Sequence, residues 1–154
     1  MEQPALLSII RTDINYRFRL DLPDGPVGQE YSTDLSGEVR ERLRRVLQSA
    51  TQTVQATVLA DGKRQTVKMG AENDALLSLG RFLFETLLPM PLQEALRHLD
   101  TALILSTNTP DIPWELMVDP STRTRRYLCQ TLSVGRVSLR DRSDRTGTLR
   151  TIAE

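Results

Sequence analysis

The sequence has few of the side chains that bind metals or form disulfide bonds, with one cysteine and one histidine among 154 residues. A single cysteine cannot form an internal disulfide bond, and one cysteine with one histidine makes no cluster with metal-ligand spacing. No basic segment precedes an apolar one at Met1 to Pro4, and no apolar run approaches the roughly 20 residues that span a bilayer. We therefore expect a cytoplasmic protein without a membrane segment, metal or cofactor.

The chain also lacks an excess of charge of either sign, since 20 basic and 20 acidic side chains give a net charge of zero. The distribution is uneven. Residues 1–122 carry 12 basic and 17 acidic side chains, a net charge of −5, whereas residues 123–154 carry 8 and 3, a net charge of +5. Nucleic-acid binding through the basic part is one hypothesis, with Arg123, Arg125, Arg126, Arg136 and Arg140 as its contacts. Because the rest of the molecule nearly cancels that field, we favour a solvated surface and expect no nucleic-acid partner.

Aromatic residues make up only 5% of the chain, but apolar residues at 39% and charged residues at 26% are ordinary for a folded domain. A chain of this length buries about 68 to 70% of the surface that its unfolded form exposes. We assign residues 1–139 to one α/β segment with a single core. Residues 140–154 lack periodicity and are assigned to a polar tail or linker.

Strict alternation of apolar and polar residues predicts a strand with one wet face. The apolar positions are Ile14, Tyr16, Phe18, Leu20 and Leu22. A shorter apolar run spans Leu6 to Ile10, and Thr12-Asp13 between the two runs predicts the turn of an antiparallel hairpin.

Apolar residues at helical spacing predict a long helix from about Leu35 into the low fifties, capped by Asp34 or Ser36. On its outer face, Glu38 with Arg42 and Glu41 with Arg45 have the favourable i, i+4 order for ion pairs. A second, largely buried helix is predicted over Ala71 to Leu88 and a brief third one from Leu92 to Leu99. Gln65 to Met69 is read as a short strand or an extended connector.

The only tryptophan follows a predicted strand, Thr101 to Leu105, and a polar turn. Pro113 and Pro120 bracket a predicted helix of about two turns, and burial of an indole removes roughly 150 to 250 Å² from water. We therefore expect Trp114 to be packed and to tie this helix to a sheet. The structural anchors of the region are Ile112, Pro113, Trp114, Glu115 and Leu116.

Three carboxylates occur at i, i+4 and i+8 around the tryptophan, at Asp111, Glu115 and Asp119. Such spacing is compatible with one acidic stripe that holds a cation or exchanges protons. The interpretation that we favour is structural: Asp111 caps the helix and Glu115 pairs with a nearby arginine.

Tyr127 to Leu128 and Leu132 to Leu139 are predicted as closing strands. Together these elements predict an α/β fold, in which an N-terminal β-hairpin and further strands form a mixed sheet packed against two long helices.

The run Ile-Pro-Trp-Glu-Leu-Met at Ile112 to Met117, with Tyr127-Leu128-Cys129 and Val134-Gly135-Arg136 after it, resembles the first part of CHAT domains. These are caspase-like cysteine peptidase domains, and the resemblance covers roughly Leu83 to Leu139. In that family the catalytic histidine and cysteine come later in the sequence. The resemblance therefore implies a noncatalytic N-terminal segment that supports a catalytic half absent from this chain, in a bacterial signalling or defence peptidase.

His98 and Cys129 do not stand in the catalytic context of that family, so we assign no catalytic residue to this chain. We expect His98 on the surface of a helix end and Cys129 as a small buried residue in a strand. The alternative function is a freestanding interaction or adaptor module that pairs an exposed strand edge with another chain. In either case the expected partner is a protein.

Overall fold

The computed structural model describes residues 2–60, 69–123 and 126–139, with the side chains of residues 53–60 and 69–73 left out of the description. The described strands are Ala5–Arg11 (β1), Asn15–Asp21 (β2), Glu30–Asp34 (β3), Leu103–Thr107 (β4) and Val134–Ser138 (β5). The described α-helices are Gly37–Ala60 (α1), Met69–Phe82 (α2), Met90–Arg97 (α3) and Leu128–Thr131 (α4). The predictions for residues 65–68 and for the tail at 140–154 lie outside the described residues.

The five strands form one mixed sheet in the order β3-β2-β1-β4-β5. β2 is antiparallel to both β1 and β3, whereas β4 is parallel to both β1 and β5. The predicted N-terminal hairpin is confirmed, with Ile9 opposite Phe18 in its register. Its turn is closed by the Thr12 N–H, which donates to the Asn15 carbonyl at 2.8 Å. The α/β class with a mixed sheet is therefore confirmed.

The alternation in the second strand identified its buried face, but the predicted strand was one residue too long at each end. Tyr16, Phe18 and Leu20 are buried, as expected. Ile14 and Leu22 lie outside β2 and are 72% and 47% exposed. These two positions lie in the segments that flank the strand. There, the alternation of apolar and polar residues no longer places apolar side chains on the buried face of the sheet.

The two faces of the sheet differ in their cover. On one face, Leu7, Ile9, Phe18 and Leu105 are completely buried and belong to one core together with helix residues such as Leu83. On the opposite face every described strand residue is half-buried or exposed. The core therefore lies between the sheet and the helices on a single side of the sheet.

α1 begins after Ser36, whose hydroxyl accepts a hydrogen bond from the Val39 N–H at 3.3 Å. Of the two predicted caps, Ser36 is the one used, because Asp34 ends β3. The helix has 24 residues and ends at Ala60, later than the sequence predicts.

The two expected i, i+4 ion pairs on α1 are replaced by other contacts. Arg44, rather than Arg45, pairs with Glu41 at 2.7 Å. The Arg42 guanidinium lies 5.1 Å from the centre of the Phe82 ring on the next helix. The face of the Phe82 ring gives the Arg42 guanidinium a contact that is partly shielded from water, which an exposed ion pair with Glu38 would not provide.

α2 has 14 residues and passes directly into a π-helical turn at Leu83–Leu87, so the predicted second helix is close to the observed one. The Leu88 N–H donates to the Leu83 carbonyl at 3.1 Å, which is the five-residue spacing of a π-helix. The wider turn leaves Leu83, Phe84 and Leu87 all buried.

The region around the tryptophan corrects two predictions. The expected two-turn helix is a single 3₁₀ turn, Trp114–Leu116, because the backbone beyond it bonds to other elements. The Val118 N–H donates to the Gly80 carbonyl at 3.0 Å, and the Met117 carbonyl accepts from the Leu128 N–H at 2.8 Å.

The prediction of closing strands is the second one that the structure corrects. Tyr127 makes only an isolated bridge to Val118, and Leu128 begins α4 instead of continuing a strand. The Gln130 side chain accepts a hydrogen bond from the Tyr127 N–H at 3.0 Å, and this local contact stabilises the helix start. The last predicted strand is confirmed over the narrower range of β5.

Gly80 is where α2 and the tryptophan segment approach most closely, so we predict that Gly80→Ala destabilises the protein. A Cβ atom at this position would lie 2.2 Å from the Leu116 carbonyl oxygen, a backbone atom that cannot move alone. We expect the free energy of unfolding, measured by denaturant titration, to fall by about 1 to 3 kcal/mol. Gly37→Ala is the matched control, because a Cβ there meets nothing within 4 Å. Equal stability of the two variants would contradict the close approach.

Candidate functional site

Trp114 is completely buried, as predicted, and it is the centre of an aromatic cluster. Its ring lies edge-on to Tyr16 at 5.6 Å and to Phe18 at 6.0 Å between ring centres. The indole N–H donates to the Thr109 hydroxyl at 3.1 Å, and that oxygen lies 2.8 Å from the buried hydroxyl of Thr107. The indole therefore joins β2 to the end of β4 with its polar atom satisfied.

The other anchor residues hold this segment on two sides. Ile112 is buried, while Pro113, Glu115 and Leu116 are half-buried. The Leu116 N–H donates to the Pro113 carbonyl at 2.9 Å and closes the 3₁₀ turn. All five anchors thus lie in a segment clamped between the sheet and α2.

Arg136 connects this segment to the edge strand β5. Its guanidinium lies 2.7 Å from the Glu115 carboxylate and donates to the Pro110 carbonyl at 3.0 Å and to the Ile112 carbonyl. The predicted pairing of Glu115 with an arginine is therefore confirmed. Arg136 fixes β5 against the tryptophan segment, and its guanidinium is not free to bind a nucleic acid.

The three carboxylates around Trp114 do not share a site. Asp119 pairs with Arg97 of α3 at 2.7 Å, whereas Glu115 pairs with Arg136. Asp111 makes no cap, since the side-chain cap of the 3₁₀ turn is absent, and that part of the prediction is wrong. Among the described residues, no group of three or more carboxylate, histidine or cysteine side chains is placed to hold a metal ion.

His98 and Cys129 lie on separate elements. His98 ends α3, as expected, with its side chain 83% exposed and 4.0 Å from the Glu94 carboxylate. Cys129 is exposed on α4, so the prediction of a buried strand residue is wrong. No hydrogen bond within the described part of the chain joins the imidazole to the thiol, and the two residues do not form a catalytic dyad.

The outer edge of β5 is the candidate interaction site. The Ser133 carbonyl accepts from the Leu103 N–H at 2.9 Å, and the Leu139 N–H donates to the Thr107 carbonyl at 2.8 Å. Because backbone groups of a strand alternate in direction, Gly135 and Val137 bond to β4 as well. The N–H and C=O groups of Val134, Arg136 and Ser138 point away from β4, and no described residue pairs with them.

The open face of the sheet adjoins this edge and carries apolar side chains. Ile104 opposes Leu6 and Gly135 in the register, and Ser106 opposes Val137. Val137 is 50% exposed and Leu139 is 43% exposed. A shallow cavity of about 280 Å³ on this face is lined by Leu139, Ile10 and Ser8, among others. An added strand and its following helix would therefore meet these apolar side chains, with the charged Arg17, Arg19 and Glu30 beside them, next to the unpaired backbone edge of β5.

Comparison with known proteins gives no match. No protein-family model, curated protein or solved structure matches this chain.

Two features of the site were not identified from the sequence. The direction of the free backbone groups on β5 depends on its parallel pairing with β4, which no local pattern encodes. Arg97 bonds Asp119, 22 residues away in sequence, and lies 5.6 Å from the ring centre of Phe84, 13 residues away. No spacing rule signals contacts of that kind.

The described arginines of the basic part differ in their exposure and in their partners. Arg123 and Arg126 are exposed, but Arg136 is engaged with Glu115 and with two carbonyls. Arg125 and Arg140 lie outside the described residues. Within the described ranges, no helix combines the length and hydropathy needed to cross a membrane.

Trp114→Ala should reduce the free energy of unfolding by about 3 to 5 kcal/mol, because it removes a fully buried ring and leaves a cavity. Equilibrium unfolding in urea, followed by far-ultraviolet circular dichroism, measures the change. Val137→Ala removes apolar atoms from a 50% exposed position and provides the comparison, with an expected loss below about 1 kcal/mol. A loss below 1 kcal/mol for Trp114→Ala would contradict its role as the anchor.

Asp119 makes a contribution to stability that depends on pH. Burial raises the pKa of its carboxyl group, but hydrogen bonds from Arg97 and from Ser121 outweigh burial and hold that pKa below its ordinary value. The stabilisation is therefore present above the unfolded-state pKa near 4 and is lost as the pH falls through the lower folded-state pKa.

We accordingly predict that Asp119→Asn lowers stability at pH 7 by about 1 to 3 kcal/mol, and that the difference from wild type narrows below about pH 4. Urea titrations at pH 7 and at successive acid values test both statements. Glu30→Gln is the control, since Glu30 is 58% exposed and 3.7 Å from Arg17, and a change below about 1 kcal/mol is expected. A deficit in Asp119→Asn that stays constant with pH would argue against the ion pair.

Proposed function

We propose that this chain is a noncatalytic α/β unit that builds and supports the catalytic half of a CHAT-type, caspase-like cysteine peptidase in a bacterial signalling or defence system. The support is given through the outer edge of β5, to which a further strand adds, and through the open sheet face beside it. The observation that carries the proposal is the row of outward N–H and C=O groups at Val134, Arg136 and Ser138, which have no partner among the described residues.

An added strand finds this edge held in a fixed position. Arg136 anchors β5 through Glu115 and the carbonyls of Pro110 and Ile112, and this segment is in turn fixed by Trp114. A strand that is already ordered loses less conformational entropy when another strand pairs with it. The backbone edge is therefore preorganised for pairing.

The distribution of apolar residues supports addition of a whole layer rather than of a single peptide strand. The described helices pack with the core on one side of the sheet, and the opposite face carries Leu6, Ile10, Ile104 and Val137 without full burial. In α/β proteins a parallel sheet has helices on both faces. A catalytic half that continued the sheet past β5 would supply the second helical layer.

The chemistry of the chain itself fits a supporting role. A cysteine peptidase needs a thiolate and a histidine within hydrogen-bond reach. The single cysteine and the single histidine of this sequence are exposed on α4 and at the end of α3 and are not hydrogen-bonded to each other. The reactive pair of the proposed peptidase would come from the half that this chain supports.

A freestanding adaptor is the second candidate, because the same edge of β5 would accept an extended segment from another protein. The coding sequence beyond Glu154 separates the two. Continuation into a His-Gly pair and a strand followed by cysteine supports the peptidase segment, whereas a stop codon favours the adaptor.

Peptide hydrolysis is the first test. We expect the purified chain to cleave no member of a fluorogenic peptide library, before or after alkylation of Cys129. Cleavage that disappears on alkylation would show that the chain carries its own nucleophile and would overturn the supporting role.

Pairing at β5 is tested by Ser138→Pro, which removes an outward N–H while the bonds from Gly135 and Val137 to β4 remain. Where the coding sequence continues, the downstream polypeptide is expressed separately and mixed with this chain. We expect peptidase activity with wild type and with the matched control Ser138→Ala, and at least tenfold less with Ser138→Pro. Equal activity of the proline and alanine variants would exclude the β5 edge as the contact.

A further inference from the structure

A second cavity lies at the carboxyl end of the parallel strands, away from the outer edge of β5. It has a volume of about 320 Å³ and is lined by the end of β1, the start of β2, the first half of α1 and the loop after β4. Its lining combines charged groups with one buried aromatic residue. The residues that matter here are Arg11, Tyr16, Arg40, Arg44 and Asp111.

The buried tyrosine is the feature that needs a partner. Tyr16 is completely buried, and its hydroxyl oxygen makes no hydrogen bond with any described residue. Most buried polar side-chain atoms in proteins have a partner, because an unsatisfied one loses its hydrogen bonds to water without replacement. A phenylalanine would pack equally well against Trp114 and Phe18, so packing does not account for the hydroxyl.

The protonation state of that hydroxyl makes it a donor. Burial raises the pKa of Tyr16 above its usual value of 10, and the nearby positive charge of Arg11 only partly offsets this. No hydrogen bond of normal geometry joins the two side chains. At neutral pH the phenol therefore stays protonated, and its O–H can donate a hydrogen bond to an acceptor in the cavity.

The three arginines that line the cavity differ in their partners. Arg44 is paired with Glu41, and Arg40 donates to the carbonyl of Asp13. The Arg11 guanidinium makes no ion pair with a described residue, and its described side-chain neighbour is the Tyr16 hydroxyl, whose pKa its charge lowers against the larger effect of burial. The Arg11 backbone N–H is held by Asn108 at 2.8 Å. A fixed backbone thus presents a guanidinium without an ion pair beside a buried hydroxyl whose proton has no described acceptor.

We propose that this cavity binds the carboxylate of an acidic residue in a peptide, with Arg11 and the Tyr16 hydroxyl as its donors. A guanidinium and a phenol together match the oxygens of a carboxylate. Asp111 lines the same cavity, so the site tolerates a ligand with one negative charge better than one with two, and its carboxylate can accept an amide N–H of the peptide. The carboxyl ends of parallel strands are where α/β proteins usually bind ligands.

The test uses the full chain and the probe N-acetyl-glutamic acid α-amide, which has one carboxylate between two amides. Nuclear magnetic resonance follows the Arg11 Nε–H and the Tyr16 ring during titration. We expect saturable shifts of both groups. Arg11→Gln should weaken binding at least about tenfold and Tyr16→Phe several-fold, since each variant loses one charge-assisted hydrogen bond. Arg17→Gln, the same charge change on the open sheet face, should bind like wild type.

Two further probes distinguish the ligand class. The neutral N-acetyl-glutamine amide should bind at least tenfold more weakly than the glutamic acid probe, and inorganic phosphate should also bind more weakly. The proposal is overturned if the glutamic acid probe gives no saturable shift, if both cavity variants bind it like wild type, or if either comparison probe binds as tightly. Thermal unfolding of each variant shows whether it is folded under the conditions of the titration.

Discussion

The burial of one indole ring is the constraint on which the rest of the structure depends. Trp114 makes edge-on contacts with the rings of Tyr16 and Phe18 of β2, and its N–H donates to Thr109, two residues after the end of β4. It therefore connects the antiparallel half of the sheet to the parallel half. Large aromatic side chains bury the most apolar area per residue, so a chain with few aromatics concentrates its core around them.

The position of this ring also explains why the segment around it is not a regular helix. Between Leu116 and Leu128 the backbone bonds to α2 and to the start of α4, through Val118 with Gly80 and through Met117 with Leu128. These bonds replace those that a second helical turn would make. The close approach that they require is possible because residue 80 has no side chain.

The sequence predicted those parts of the fold that depend on local pattern. Alternation at Tyr16, Phe18 and Leu20 identified a buried strand face, and the apolar spacing after Ser36 identified α1. It failed at Cys129, because the apolar run Tyr127-Leu128 is divided between a bridge and a helix by tertiary contacts. For the candidate site, the sequence predicted the anchors and an exposed strand edge, but not the direction of the free backbone groups on β5. Its free edge follows from the parallel pairing of β5 with β4, and the position of Arg11 follows from a contact with Asn108, nearly 100 residues away in sequence.

The described part of the sheet has two regions with unpaired groups, and these groups differ in kind. At the outer edge of β5 the unpaired groups are backbone N–H and C=O. They pair with the backbone of an extended strand, whatever its side chains are. Near the carboxyl end of β1 they are the side chains of Arg11 and Tyr16. These donors favour a negatively charged group, whatever the backbone conformation of the molecule that carries it. A polypeptide partner could satisfy both kinds of group, since it has a backbone and side chains. The protein partner proposed above accords with these described unpaired groups, because another polypeptide provides what each of them lacks.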